Sequence, residues 1–407
     1  MVDLVSLDAL FEARQRLRDS GVLRPTPVER AESLSKLAGR QILLKPEYRQ
    51  RTGSFKIRGA YNHISRLEPG RPVVAASAGN HAQGVALAAA LTGRAATIHM
   101  PVNAPLPKLD ATRGYGAKVE LAGDSVDDCI AEAVAAAEEA GAAFVPPFDD
   151  LHVIAGQGTA GLELADEAPD ADVVVVAVGG GGWIGGIGAA LARLRPATRV
   201  IGVEAAGAAS MIASRRAGHP VKLTSLATMA DGIAVKCPSA LTLAHTEAFV
   251  HELVTVTEEE LSQAVVLLLE RAKAVVEPSG AAPLAAILAG KVAGTGPAVA
   301  VLGGGNVDPL LLTKIIDHGL SAAGRYLAVR VLLDDHPGNL ARLTGQVAAL
   351  GLNVLSVEHH RTGLALPIGT VEVLLTVETR NAMHSDEIVA GLRAAGFDAT
   401  PVGDGRS

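Results

Sequence analysis

Cysteine and aromatic residues are scarce in this chain of 407 residues, which holds 2 Cys, 1 Trp, 4 Tyr and 6 Phe. The isolated Cys129 and Cys237 make neither a disulfide framework nor a cysteine metal knuckle, and a reducing, cytoplasmic compartment fits them. With so few rings, the core must be built from Ala, Val, Leu and Ile. No block of Lys or Arg stands out and the formal net charge is −7. Neither nucleic acid nor an anionic membrane is therefore an expected partner. No apolar run free of glycine and charge is long enough to cross a bilayer. The N-terminus carries Asp3, Asp8 and Glu12 without a basic-then-apolar pattern, so no signal peptide is expected.

What is abundant is glycine, with 44 residues. It gathers at the ends of apolar runs, which points to tight turns near ligands rather than to disorder. The length suits two or three domains. Residues 72–76, 96–100, 117–121, 143–145, 172–178, 199–204 and 298–302 read as strands, and 81–91, 107–113 and 125–140 as helices between them. The valine run within 172–178 is typical of a strand covered on both faces. Such alternation predicts βαβ units and a mostly parallel sheet. Thr257 and Glu260 form a capping box opening a helix towards Lys273, and Ser279 is placed to cap the next. Past Arg325 the pattern becomes strand 326–334, helix 336–350, strands 353–361 and 369–378, helix 385–395 and strand 398–402. That order, βαββαβ, is the ferredoxin-like unit.

Chemistry concentrates in a few segments. Arg51-Thr52-Gly53-Ser54-Phe55-Lys56-Ile57-Arg58-Gly59-Ala60 places one lysine behind two small residues and a phenylalanine. Lysine shifts its pKa readily and is the side chain used for Schiff-base chemistry, and an aromatic neighbour could pack against a flat ring. Gly179, Gly180, Gly181 and Gly182 stand between the valine strand and a helix, where backbone N–H groups and the helix dipole can hold a phosphate. Ser77-Ala78-Gly79-Asn80-His81-Ala82-Gln83-Gly84 also lies between a strand and a helix and offers a hydroxyl and N–H groups to a carboxylate. Gly180, Gly182 and Gly185, with Glu204 after the next strand, also satisfy a dinucleotide fingerprint. An NAD-dependent dehydrogenase is thus a rival reading, but one that leaves Lys56, Asn80 and Asn306 without a purpose.

With Gly303-Gly304-Gly305-Asn306, Ala230-Asp231-Gly232-Ile233-Ala234-Val235 and Glu277-Pro278-Ser279-Gly280-Ala281-Ala282, these segments resemble the fold-type II enzymes that use pyridoxal phosphate (PLP). More closely, they resemble the threonine/serine dehydratase branch, over roughly residues 5 to 325. The resemblance implies an α/β fold with two open, mostly parallel sheet subdomains in a catalytic domain 1–325, the smaller, about 66–150, inserted. It implies PLP on Lys56, beside Phe55, with Asn80 at the phenolic oxygen of the cofactor. Gly179, Gly180, Gly181 and Gly182 would face its phosphate and the Gly303 loop its pyridine nitrogen. Ser77, Ala78, Gly79, Asn80 and His81 would grip the substrate carboxylate.

Two positions depart from the family pattern. Gly303 stands where serine or cysteine usually meets the pyridine nitrogen, and Trp183 where leucine is usual. A serine at 303 is expected to restore the missing partner. Related racemases bind a cation near Glu204 and Ala208, but Ser210 replaces a second carboxylate, so Glu204 reads as structural and no metal is expected.

The turn Asp335-His336-Pro337-Gly338-Asn339-Leu340 resembles the first loop of ACT domains, which bind amino acids between two copies. A regulatory domain 326–407 is implied, with Asp335, Gly338 and Asn353 as contacts for an isoleucine or valine effector. The function implied is a threonine ammonia-lyase of amino-acid metabolism, in isoleucine biosynthesis, assembled as a dimer or tetramer. It would convert L-threonine to 2-oxobutanoate and ammonia, and L-serine to pyruvate. A lyase or racemase for another β-hydroxy amino acid, such as hydroxyaspartate or serine, is the alternative within PLP chemistry. A catalytically weak amino-acid sensor is the alternative outside enzymes, motivated by Gly303.

Overall fold

A computed structural model of the chain describes residues 2–322, 324–361 and 366–402. Two units separate, Met1–Leu312 and Thr313–Ser407. The first holds two sheets. The larger has six strands in the order Glu29–Arg30, Ile42–Lys45, Ala298–Val301, Val173–Ala177, Arg199–Ala205 and Glu252–Val256. All its pairings are parallel except the first. Val173–Ala177 is buried along its whole length, as a central strand covered on both faces must be. The smaller sheet has four parallel strands, Lys118–Leu121, Ala96–Met100, Val73–Ala76 and Ala143–Phe144.

Against the larger sheet the helices Leu151–Glu167 and Gly182–Leu194 pack at backbone distance. A Cβ on Gly186 would stand 2.7 Å from the Cα of Gly158, so glycine at both positions permits the approach. That close crossing fixes the start of Gly182–Leu194, where the four consecutive glycines lie.

The predicted strands and helices of both sheets fall within a residue or two of their observed bounds, and the Thr257–Glu260 capping box forms. The helix it opens ends at Leu267 and continues as a π turn, Leu268–Ala272, closed by Lys273 in the left-handed region (φ 55°). Ser279 does not cap the next helix. Pro278–Leu288 begins earlier, with Glu277 at the cap position and Pro278 first, where its missing N–H costs nothing. Among the described residues no helix is long and apolar enough to cross a membrane.

The second unit is an antiparallel sheet in the order Val354–His360, Thr370–Glu378, Tyr326–Asp334 and Asp398–Pro401, with helices Asn339–Ala349 and Ala382–Ala394. Alternate residues of Tyr326–Asp334 and Thr370–Glu378 are buried against Leu343, Val347, Ile388 and Leu392. Part of the expected connection between the middle strands, 362–365, and the tail 403–407 lie outside the described residues.

One buried ionic network secures the first unit. Arg58, fully buried, donates to Glu47 through Nε and Nη2, each at 2.8 Å, and to Glu163 through Nη1 at 2.7 Å and Nη2 at 2.8 Å. Lys45, also fully buried, reaches Glu163 at 2.7 Å and Glu167 at 3.0 Å. Burial alone would raise the Glu163 pKa, but Arg58 and then Lys45 hold it down at about 2. Because that lies below the ordinary 4.5, the contribution of Glu163 is present above 4.5 and is lost as pH falls towards about 2. Arg58→Ala should leave Glu47 buried without its cation and Glu163 with Lys45 alone, and cost about 3–5 kcal/mol. Urea denaturation of the apoprotein measures this, and a cost under about 1 kcal/mol would place the network among weak surface pairs.

Candidate active site

Lys56 opens the helix Lys56–Ile64 directly after a short antiparallel bridge, Ser54 to Gly304. Phe55 N–H donates to the Gly303 carbonyl at 3.1 Å, so the lysine segment and the third glycine loop are stitched together. Lys56 Nζ donates to the Pro147 carbonyl at 2.9 Å and lies 5.3 Å from the centre of the Phe55 ring. Burial pushes its pKa down from 10.5 to about 8, against the charge of Glu277, which raises it.

The strand Val173–Ala177 delivers the four glycines to the N-terminus of Gly182–Leu194. Gly181 adopts φ 87°, where L side chains are strained. A Cβ on Gly180 would stand 2.1 Å from the Phe148 ring, so this loop has no room for side chains. Its N–H groups and the helix dipole suit a phosphate. Ser77, Ala78 and Gly79 lead from Val73–Ala76 into Asn80–Leu91, with Ser77 Oγ accepting the Gly79 N–H at 3.1 Å. The first N–H groups of that helix have no partner within it and suit a carboxylate.

A chain of hydrogen bonds joins the motifs. Asn306 Nδ2 donates to the Thr52 carbonyl and to Asn80 Oδ1, each at 2.7 Å. Asn80 Nδ2 in turn donates to Glu277 Oε1 at 2.7 Å. Glu277 is almost fully buried, and its pKa is pushed up to about 7 by burial and the Asp231 carboxylate, partly offset by Asn80. Its segment was recognised in the sequence without a role for the acid. The readable signal was a glutamate before proline at the head of an apolar helix.

One cavity of about 570 Å3 is lined by Phe55, Lys56, Ser77, Ala78, Gly79, Asn80, His81, the four glycines, Glu277 and Gly303. The residues expected at the cofactor and substrate are therefore brought together. One nitrogen of the His81 ring is engaged, its Nε2 bonded to the Val145 carbonyl at 2.9 Å. Burial and the nearby Lys56 charge push its pKa down to about 3, so the ring stays neutral. Ion pairs cross the mouth, Lys108 with Asp231 and Asp127 with both Lys222 and Lys236.

One expectation changes, the structural reading of Glu204 agrees with its contacts, and the effector residues stand apart within one copy. A serine at 303 has no vacant space to fill, since a Cβ there would stand 2.7 Å from Cζ3 of Trp183. Glu204 is not available to a ribose. It is fully buried, and its carboxylate accepts the N–H groups of Met211 and Ile212, each at 2.8 Å. Asp335 and Gly338 are not brought together with Asn353. Asp335 bonds Gly369 at one end of the second unit's sheet, while Asn353 bonds Glu378 at the other. Among the described residues, no cluster of His, Cys, Asp or Glu is arranged to hold a metal.

The depressed lysine, the glycine cradle and the cavity fit PLP, whose aldehyde carbon Lys56 would take and whose phosphate 179–182 would hold. Residues 20–304 match the family model described as pyridoxal-phosphate dependent enzyme, and the chain belongs to that family. An L-threonine ammonia-lyase of Thermotoga maritima is 46% identical over 404 residues, covering 98% of this chain and 100% of that protein. The solved structure of the processed form of threonine deaminase isoform 2 from Solanum lycopersicum superposes with TM-score 0.72 at 37% identity, over 78% of this chain and 90% of that one. The structure of maize serine racemase gives TM-score 0.73 at 33% identity, over 78% and 99%.

With the neutral amine of Lys56 as the nucleophile, capture of PLP by the apoprotein should speed up with pH and level off above about 8. Stopped-flow absorbance across pH measures the midpoint, and a value near the ordinary 10.5 would mean that the amine is hydrated. Glu277→Gln should lower the midpoint, because the carboxylate it removes raises the lysine pKa.

Proposed function

We infer that the chain is a PLP-dependent L-threonine ammonia-lyase, releasing 2-oxobutanoate and ammonia, and that it takes L-serine to pyruvate by the same route. The observation that carries this is Lys56. Its amine is partly desolvated, has a pKa of about 8, and shares one cavity with an anion cradle and a carboxylate loop. Identity to the Thermotoga maritima L-threonine ammonia-lyase along nearly the whole chain supports the same reaction.

Bound PLP supplies the electron sink that makes the α-proton of an amino acid acidic. The chain's own residues do the rest. Backbone N–H groups at 77–80 bind the carboxylate and orient the Cα–H bond. Lys56 Nζ, neutral near its pKa, takes the α-proton. The β-hydroxyl leaves as water with the proton that Lys56 took, and the enamine released hydrolyses to the 2-oxo acid and ammonia. Asn80, held by Glu277 and Asn306, fixes the loop that carries the carboxylate site.

The C-terminal unit is read as an amino-acid-binding ACT domain that answers to isoleucine or valine. Its βαββαβ order and the Asp335-to-Leu340 turn support this. Asp335 and Gly338 lie at the opposite end of the sheet from Asn353, so an effector site using all three needs two copies. The edge strand Val354–His360, exposed throughout and carrying Val354, Leu355 and Val357, suits such pairing in a dimer or tetramer.

Lys56→Ala should keep the fold and lose turnover by at least the ~10²–10⁴-fold that a positioned base provides. Release of 2-oxo acid from threonine, serine and hydroxyaspartate, with D-serine formation followed in parallel, tests the reaction. Racemisation without 2-oxo acid would overturn the lyase reading. Isoleucine or valine should change apparent threonine affinity about 5- to 150-fold. Calorimetry on full-length protein with the active site blocked, showing no heat with either, would leave the C-terminal unit as an assembly module.

A further inference from the structure

Gly303 and Trp183 are the two places where this chain departs from the pattern it otherwise follows, and the structure puts them in contact. An added Cβ at 303 would stand 2.7 Å from Cζ3 and 3.2 Å from Cη2 of Trp183, and 3.5 Å from Cδ1 of Phe55. The space that a side chain at 303 would take is filled by the indole. That ring packs in the apolar cluster with Ile184, Ile187 and Val301, and it is only 5% exposed.

On one face the indole meets Phe55, with ring centres 3.7 Å apart and planes 3° from parallel. Two rings left to themselves prefer an offset or an edge-on contact at a larger separation. The nearly eclipsed stack is therefore imposed by what surrounds it, and Gly303 is the residue that makes room for it. Trp183 Nε1 is buried with no hydrogen-bond partner. Trp183 also lines the cavity, beside Phe55 and Gly303. Phe55 precedes Lys56, and the lysine amine lies 5.3 Å from its ring centre. Whatever fixes Phe55 therefore fixes the wall of the cavity next to the reacting amine.

We propose that Trp183 is a positioning residue for the cofactor, coupled to Gly303. The indole takes the volume of the absent side chain at 303 and sets the plane of Phe55, against which the PLP ring rests. The proposal depends on the PLP reading above and adds to it that residues 183 and 303 act as one unit. Serine at 303 is then an obstruction in the presence of Trp183 and a repair in its absence.

The test is a double-mutant cycle on full-length protein: wild type, Gly303→Ser, Trp183→Leu, and Trp183→Leu/Gly303→Ser. The PLP dissociation constant of each is measured by equilibrium dialysis, the visible absorption band of the bound cofactor is recorded, and apoprotein unfolding midpoints report the fold. Gly303→Ser should weaken PLP binding roughly 10–100-fold, the scale of an overpacked site. Trp183→Leu should weaken it about tenfold and shift the absorption band, because Phe55 loses its support. The double variant should return to within about threefold of wild type, far from the product of the two single effects. Trp183→Phe keeps a ring and removes the N–H, and it should bind PLP about as well as wild type. Independent single effects, or Trp183→Leu with wild-type affinity and absorption band, would overturn the proposal. The same follows if Trp183→Phe binds as poorly as Trp183→Leu. Should Gly303→Ser not fold, a double variant that folds and binds PLP supports the coupling, and one that does not overturns it. Absence of a PLP band in the wild type would refute the PLP reading itself, an outcome the mutants do not share.

Discussion

Arg58 is buried two residues after Lys56, and its charge can remain there only because Glu47 and Glu163 are held with it. A guanidinium with paired carboxylates is fixed in plane and direction as well as in charge. The pairing reaches three separate pieces of chain. Glu47 lies in the turn after Ile42–Lys45, Glu163 lies on Leu151–Glu167, and Arg58 lies on the helix that Lys56 opens. The helix of the reacting lysine is thereby anchored from behind, through groups too deep to move with solvent. Burying ions in this way is weak evidence for stability as such, since apolar packing can do as well. What it provides here is a single registration of three elements.

The parts of the fold that could be read in the sequence were those with a local signature. Alternating apolar runs, the valine strand and the Thr257–Glu260 box each depend on neighbours within a turn or a strand. The helix start at Pro278 was misread because Ser279 looks like a cap, and proline's own preference for the first helical position outweighs it. Helix Leu151–Glu167 was missed altogether. It is buried on most sides, so its apolar pattern has no polar face to reveal the period. Strand order was also beyond reach, since Ile42–Lys45 joins Ala298–Val301 across most of the unit.

At the site, the motifs that the cavity brings together were legible and the contacts between them were not. Lys56, Asn80 and the glycine loops have types and spacings that only a few chemistries use. Glu277 and Trp183 act through contacts with residues distant in sequence. A glycine shows that a side chain is absent but not what fills the space. At Gly180 it is Phe148, at Gly53 the amide of Asn306, and at Gly303 the indole of Trp183. Read alone, Gly303 suggested a lost contact. Beside its neighbour, it is a position whose side-chain volume the indole of Trp183 already occupies.

The electrostatics around Lys56 follow from two opposed effects. Burial disfavours the ammonium and lowers its pKa, while Glu277 favours the ammonium and limits the fall. Glu277 is itself buried, and burial and the Asp231 carboxylate push it up to about 7. A lysine kept fully charged could neither attack a carbonyl nor accept a proton, and one made far less basic would hold a proton too weakly to remove it from carbon. An amine near 8 is suited to both, and the carboxylate that tunes it also accepts a hydrogen bond from Asn80 at the head of the helix Asn80–Leu91. The basicity of the lysine and the placement of Asn80 are therefore not independent. Any change at Glu277 alters the proton affinity of Lys56 and the geometry of Asn80 together.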